Sequence, residues 1–415
     1  MDARHVLDDV PKITGYEHVD FYTDAVSIAL CYGNDELRGR FPMGVFDALS
    51  GFSGRGWLIG FNEASYYWER HGMVDPDPSF AVSGLEAYLR HYDTMVDVLR
   101  YVDRVPEFLW HEGCDHSVDP DQAAGLIGIC QKVDAVAVRE YVAGHLQADE
   151  RPVVALLHLP GADIVDIALL AGYESRGEVV LGRSFHQGPG TDNSGGSGYF
   201  RLPDWEREVL AVFGIGPEQK TEWPKDPCFI AIENALKCAK SYAEGTKHYG
   251  LAAYDAWERA LLDDTCIDGA DDEAVARRLQ YHSCVAGSTA CQKAFTALPE
   301  CHAPSMGVVD GLVRRAGAGT GLIHGLMWDA WQAVGGYWRG STDEGRLRWE
   351  GTEELARFRD PRVRERAAKV IRRARKIDSE SVRDLEEARD DWRGCIGHGT
   401  AHPCPCWGLN VCARV

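Results

Sequence analysis

The chain lacks any excess of positive charge. Its 44 Lys and Arg residues face 64 Asp and Glu, giving a formal charge of −20 over 415 residues. An acidic surface repels phosphate backbones and anionic lipid headgroups, so neither nucleic acid nor a membrane is an expected partner. The chain also lacks an apolar run of the roughly 18–20 residues that a spanning helix needs. Its first residues, MDARHVLDDVPK, lack the basic-then-apolar order of a secretory signal. A paired cysteine framework is missing as well. The 13 Cys are odd in number and scattered, as expected of reduced thiols, and most, such as Cys31, Cys130 and Cys238, sit in apolar helical patterns as small hydrophobes. These absences together lead to the expectation of a cytoplasmic protein. No internal repeat is visible.

What is present is an ordinary globular composition, 45% apolar and 26% charged. The length predicts two domains. Residues 1–222 mix helical and strand periods. FYTDAVSIALCY (21–32) has helical spacing and meets a C-capping Gly33. Ser83–Val102 and Gln122–His145 read as amphipathic helices. PVVALLHL (152–159), YFRL (199–202) and REVLAVFGIG (207–216) read as strands. ADIVDIALLAGYESRGEVVLGRSF (162–185) reads as two strands joined by a tight turn. Helices first and hairpin-linked strands later predict an α+β domain with an antiparallel sheet. GPGTDNSGGSG (188–198) is too polar and glycine-rich to pack, and predicts a mobile surface loop.

From Asp226 the helical period takes over. Asp226–Pro227 supply an N-cap and a first-turn proline for a helix closing at Gly245, and LAAYDAWERALLDD follows as a second. Further helices are expected over 273–297, 306–315, 320–335 and 361–392. In the last, Val363, Ala367, Val370, Ala374, Ile377, Leu385, Ala388 and Trp392 recur every three or four residues against a charged opposite face. Residues 226–393 therefore predict a helical bundle, with 394–415 as a Cys/His-rich tail.

Four stretches carry a family likeness: DAVSIALCYGND (24–35), GFSGRGW (51–57), ALLAGYESRGEVVLGRSF (168–185) and GYFRLPDW (198–205). Over about residues 16–215 the chain resembles the N-terminal domain of the butirosin biosynthesis protein H family, which is related to the C39-like, papain-fold cysteine peptidases. The helical half resembles the companion domain of relatives. This resemblance implies a papain-like domain and acyl transfer or amide cleavage on a small amine-containing substrate, with an acyl-carrier-linked donor as partner. It also implies a Cys at the start of the first helix, a His on the facing strand, and an orienting Asp or Asn on the next strand.

All three positions depart from that pattern. The helix opens with Asp20, Phe21, Tyr22, Thr23 and Asp24; the His strand offers Asp163 and Asp166; the orienting position falls near Arg183 and Ser184. The expected Cys–His pair is thus missing. Cys31 lies at the wrong end of its helix for a thiolate. Cys114, with His111 and His116, reads as part of a surface loop. His158 reads as a structural strand-edge residue, and His186, beside the glycine-rich loop, as the better functional candidate.

The candidate catalytic residues are Asp24, Asp166 and His186. The candidates for binding are Asp20, Tyr22, Arg55, Trp57, Arg183 and Ser184. Grouped carboxylates suit a cationic amine or aminoglycoside, and guanidinium groups suit a carboxylate or phosphate. Each acid alone serves equally well as a helix cap or strand flank. Three glycines in GFSGRGW suit an anion-holding turn or a plain loop.

The tail, CIGHGTAHPCPCWGLNVC, contains four Cys and two His. Cys395, His398, His402, Cys404, Cys406 and Cys412 are the donor types of zinc or another soft metal, but their spacing matches no standard zinc knuckle. No other cofactor is indicated, and no motif encodes the oligomeric state. Two readings follow: an enzyme-like family member with altered chemistry, or a non-catalytic small-molecule or metal-binding protein with a degenerate papain-like domain.

Overall fold

A computed structural model describes residues 3–13, 21–35, 59–67, 99–100, 102–112, 131–159, 165–184, 187, 191–220, 232–233, 235–237, 239, 242–294, 308–334 and 352–397. The chain divides into two compact units, Met1–Ser50 with Tyr88–Pro227 and Gly51–Ala87 with Cys228–Val415. The described residues are mixed α and β, with a mixed sheet in the first unit and helices dominating the second. No described helix is long and apolar enough to cross a membrane.

The first unit contains β1 (Arg4–Val6), α1 (Phe21–Cys31), β3 (Arg104–His111), β4 (Gln131–Val133), α3 (Ala135–Asp149), β5 (Val153–His158), β6 (Val165–Glu174), β7 (Val179–Ser184), β8 (Phe200–Pro203) and β9 (Val209–Glu218). Its sheet runs β4-β3-β9-β5-β6-β7-β8, with β1 also on β6. Every pairing is antiparallel except β3 with β4, so the sheet is mixed rather than wholly antiparallel. The continuous apolar run of β5 follows from its place. It lies between β9 and β6, and Val153 to Leu157 are all buried. Gly33 ends α1 at φ +66°, as its position predicts.

Elsewhere the local pattern misleads. The helix expected over Gln122–His145 begins at Ala135 in its described part, because Gln131–Val133 pair with β3 and Asp134 then caps α3 by accepting from Ala137 N. Residues 191–199 are tied down: Tyr199 N donates to Gly196 O, Gly195 N to Tyr199 O, and Arg201 N to Asp192 O. The Tyr199 hydroxyl donates to Leu7 O and accepts from Val10 N, each at 2.9 Å. The described part of the glycine-rich segment is therefore a hydrogen-bonded turn.

One glycine in this unit is dictated by packing. The Tyr141 hydroxyl of α3 donates to Glu107 of β3 at 2.9 Å, and a Cβ on Gly214 of β9 would stand 1.6 Å from that hydroxyl. Only glycine lets α3 close on the sheet there.

The second unit contains β2 (Gly60–Asn62), α2 (Glu63–Tyr66), β10 (Tyr242–Glu244), β11 (Lys247–Tyr249), α4 (Leu251–Leu262), α5 (Asp272–Ala294), α6 (Val308–Ala333), α7 (Thr352–Arg359) and α8 (Pro361–Gly397). Three differences from the sequence reading stand out. Ile59, Phe61 and Tyr66 belong to the core of this unit, and β2 pairs with β11. The helix expected to close at Gly245 ends earlier, because Tyr242–Tyr249 form a hairpin that turns at Gly245, φ +57°. The two helices expected at 306–315 and 320–335 are one helix, α6. Its Gly319 faces α8 so closely that a Cβ would meet Ser381 Oγ at 2.2 Å. Glycine here permits close helix packing and does not break the helix.

This unit buries charge in closed sets. Lys293 Nζ contacts both carboxyl oxygens of Asp378, at 2.6 and 2.7 Å, and the Tyr254 hydroxyl donates to the same carboxyl at 2.9 Å. Burial pushes Lys293 down and Asp378 up, each shift opposed by the other's charge. Arg364 reaches Leu261 O at the end of α4, Phe358 and Arg359 O at the end of α7, and Asp264. One guanidinium thus caps two helix C-termini. His282 accepts from Trp257 Nε1 at 3.0 Å and lies 3.3 Å from Ala330 O, and burial lowers its pKa to about 4.

Candidate functional site

The strand registers bring polar residues to one end of the first unit's sheet. β3 ends there at His111, β5 at His158 and β7 at Ser184, while β9 and β6 start there at Val209 and Val165. These groups come from five strands whose order in the sheet differs from their order in the chain. No short sequence window could show them together.

Asp166 and Ser184 face each other across the hairpin. Both are buried, and the Ser184 hydroxyl donates to Asp166 Oδ2 while Ile167 N donates to Oδ1 at 2.8 Å. Those two donors fix the orientation of the carboxyl group. On the central strand, one residue beyond the Leu157 that pairs with Asp166, His158 Nδ1 lies 3.2 Å from Glu208 Oε2, and His158 N donates to Glu208 O. This imidazole–carboxylate pair is about a quarter exposed, 26% on each side.

Asp24 lies buried in the first turn of α1, which packs on β5 and β6. The C-terminal end of that helix is anchored away from the polar end. Tyr32 donates to Asp8 O, and its hydroxyl pKa is raised by burial and then by Tyr199, Asp8, Asp9 and Glu150. Cys31 contributes to the field at Arg151, just before β5 begins.

Beyond β9, at the edge strands, an open cleft of about 650 Å³ is lined by His111, Glu112, Asp134, Glu206 and Arg207, among others. Glu206 is buried and ion-paired to Arg139 of α3. Lys132 pairs with Glu112 at 3.3 Å. His111 is 4% exposed, and its Nδ1 lies 3.2 Å from Val209 O.

Of the candidates read from the sequence, Asp24, Asp166 and Ser184 fall on α1, β6 and β7, and Asp166 and Ser184 are in contact. Arg183 is not with them. Neighbouring strand residues point to opposite faces, and its guanidinium donates to Ser197 O at 2.6 Å above the Tyr199 ring. Tyr22 is in α1, but its side chain is outside the described set, as is that of Cys395 in α8. Asp20, Arg55, Trp57, His186, His398, His402, Cys404, Cys406 and Cys412 also lie outside the described residues. Among the described residues no cluster could hold a metal ion. The cysteine side chains described are Cys31, Cys266 and Cys284, all buried.

Three groups escaped the sequence reading. Glu206 and Glu208 sit in WEREV, which looks like a charged surface turn before a strand. His111 was grouped with Cys114 in a loop, whereas it is the last residue of β3. Pro106 hid that strand: it falls at an irregularity in the β3–β9 ladder, where its missing N–H costs little.

Searches against protein-family models, curated proteins and solved structures found no match to this chain.

Proposed function

We propose that the first unit is a degenerate papain-like domain that binds a small amine-bearing molecule, with the carboxyl groups of Asp24 and Asp166 replacing the thiol and imidazole of the related enzymes. The observation that carries this reading is the buried Ser184–Asp166 hydrogen bond. In this reading it takes the place of a papain-like hairpin's base and orienting residue, as an oriented acceptor. The packing of α1 on β5 and β6, with its C-terminal end held by Asp8 near Arg151, supports an approach of the Asp24 turn to the Asp166 end. A primary or secondary ammonium donates two or three hydrogen bonds, and a carboxylate is the acceptor that suits it best. The cysteine side chain described in this unit, Cys31, is buried in the last turn of α1, at the other end of the helix from Asp24.

Thermal unfolding of the full chain with and without spermidine or kanamycin tests the proposal. Both amines should raise the midpoint of the wild-type protein, and Asp24→Asn should remove most of that rise. No rise in the wild type, or an equal rise in the variant, would overturn it. Steady release of amine from N-acetylspermidine would instead favour catalysis assisted by the His158–Glu208 pair.

A further inference from the structure

We infer that the cleft at the carboxyl ends of β3 and β4 is a second ligand site, one that takes a small carboxylate also bearing a hydroxyl or amino group, with His111 accepting the hydrogen bond of that group. The site lies three strand spacings, about 14 Å, from the Asp166 hairpin and does not depend on the amine proposal.

The argument begins with the tautomer. A backbone carbonyl only accepts, so the contact of His111 Nδ1 with Val209 O requires the proton on Nδ1. In the neutral ring the lone pair is then on Nε2. That atom has no partner among the described residues, although His111 is 96% buried, from its 4% exposure, and lines the cleft. A buried imidazole fixed at one nitrogen and open at the other is prepared to accept from a ligand.

The opposite wall suits a carboxylate. β3 and β4 are the parallel pair of the sheet, and ligands of open α/β sheets bind beyond the carboxyl ends of such strands. The 15-residue α3 starts at that edge. Asp134 Oδ1 takes Ala137 N and Asp134 O takes Val138 N, which leaves the Ala135 and Val136 amides without an intrahelical acceptor. Arg207 lines the same cleft. Of the wall's acids, Glu206 is paired with Arg139 and Glu112 with Lys132. The cleft volume of about 650 Å³ falls in the range of small-molecule sites.

Titrating the ¹⁵N-histidine-labelled full chain with glycolate, L-serine and acetate tests the inference. Glycolate or L-serine should move the His111 Nε2 resonance saturably, and acetate, which lacks the donor, should bind at least about tenfold more weakly. His111→Phe should lose that preference. Arg207→Gln should weaken glycolate and acetate alike, which keeps the test decisive if His111→Phe does not fold. The inference is overturned if neither donor-bearing acid binds saturably, if acetate binds as well as glycolate, or if His111→Phe binds them unchanged.

Discussion

In the helical unit, Lys293, Asp378 and Tyr254 close on one another from three helices, and Arg364 spends its donors on four acceptors of the fold. In the sheet unit, Asp166 is held by Ser184 and Ile167, His158 by Glu208 and His111 by Val209, all at strand ends, and His111 lines an open cleft. Both regions bury polar atoms, the first in charged sets that close on the fold and the second at the ends of strands. A buried charge whose partners are all supplied by the fold serves packing and register. An oriented group with capacity left over serves a ligand.

The largest expected effect tests the closed side of this contrast. Asp378→Ala leaves the Lys293 ammonium buried without its counter-charge and should cost about 3–5 kcal/mol in urea unfolding. The double change Asp378→Leu with Lys293→Met should recover most of that loss. A cost below about 1 kcal/mol would mean that water already reaches the pair.

His282 gives the next effect. Its pKa is lowered from 6.5 to about 4 by burial, so as pH falls the unfolded chain takes up the proton first. The stability associated with neutral His282 is whole above about pH 6.5, falls between about pH 6.5 and 4, and levels below, a loss of roughly 3 kcal/mol. Unfolding free energies of wild type and His282→Gln across that window check it. Parallel curves would contradict the burial.

The smallest effect belongs to the open side. Ser184→Ala removes one donor from Asp166 and should cost about 1 kcal/mol, because one backbone donor remains and the carboxyl lies at a strand end. A loss as large as that of Asp378→Ala would erase the distinction between the two units.

The strands β5 to β9 could be read from the sequence because their apolar runs are bounded by glycine and charge. Helices α4, α5 and α8 could be read from their 3.6-residue stripes. The errors fell where a residue's usual local meaning was overruled by a neighbour: Pro106 tolerated at a ladder irregularity, Gly319 kept helical by contact with Ser381, Gly245 turning a hairpin. The site was half visible. Asp166 and Ser184 are 18 residues apart on one hairpin, a separation that a turn rule can bridge. His111 and Val209 are 98 apart, and only the sheet order joins them.

Isothermal titration of the full chain with spermidine, repeated on Asp166→Asn, tests the central claim most directly. The account predicts saturable binding by the wild-type protein that weakens at least about tenfold, or about 1.4 kcal/mol, in the variant. Equal affinity in both proteins, or no binding by the wild type, would contradict it.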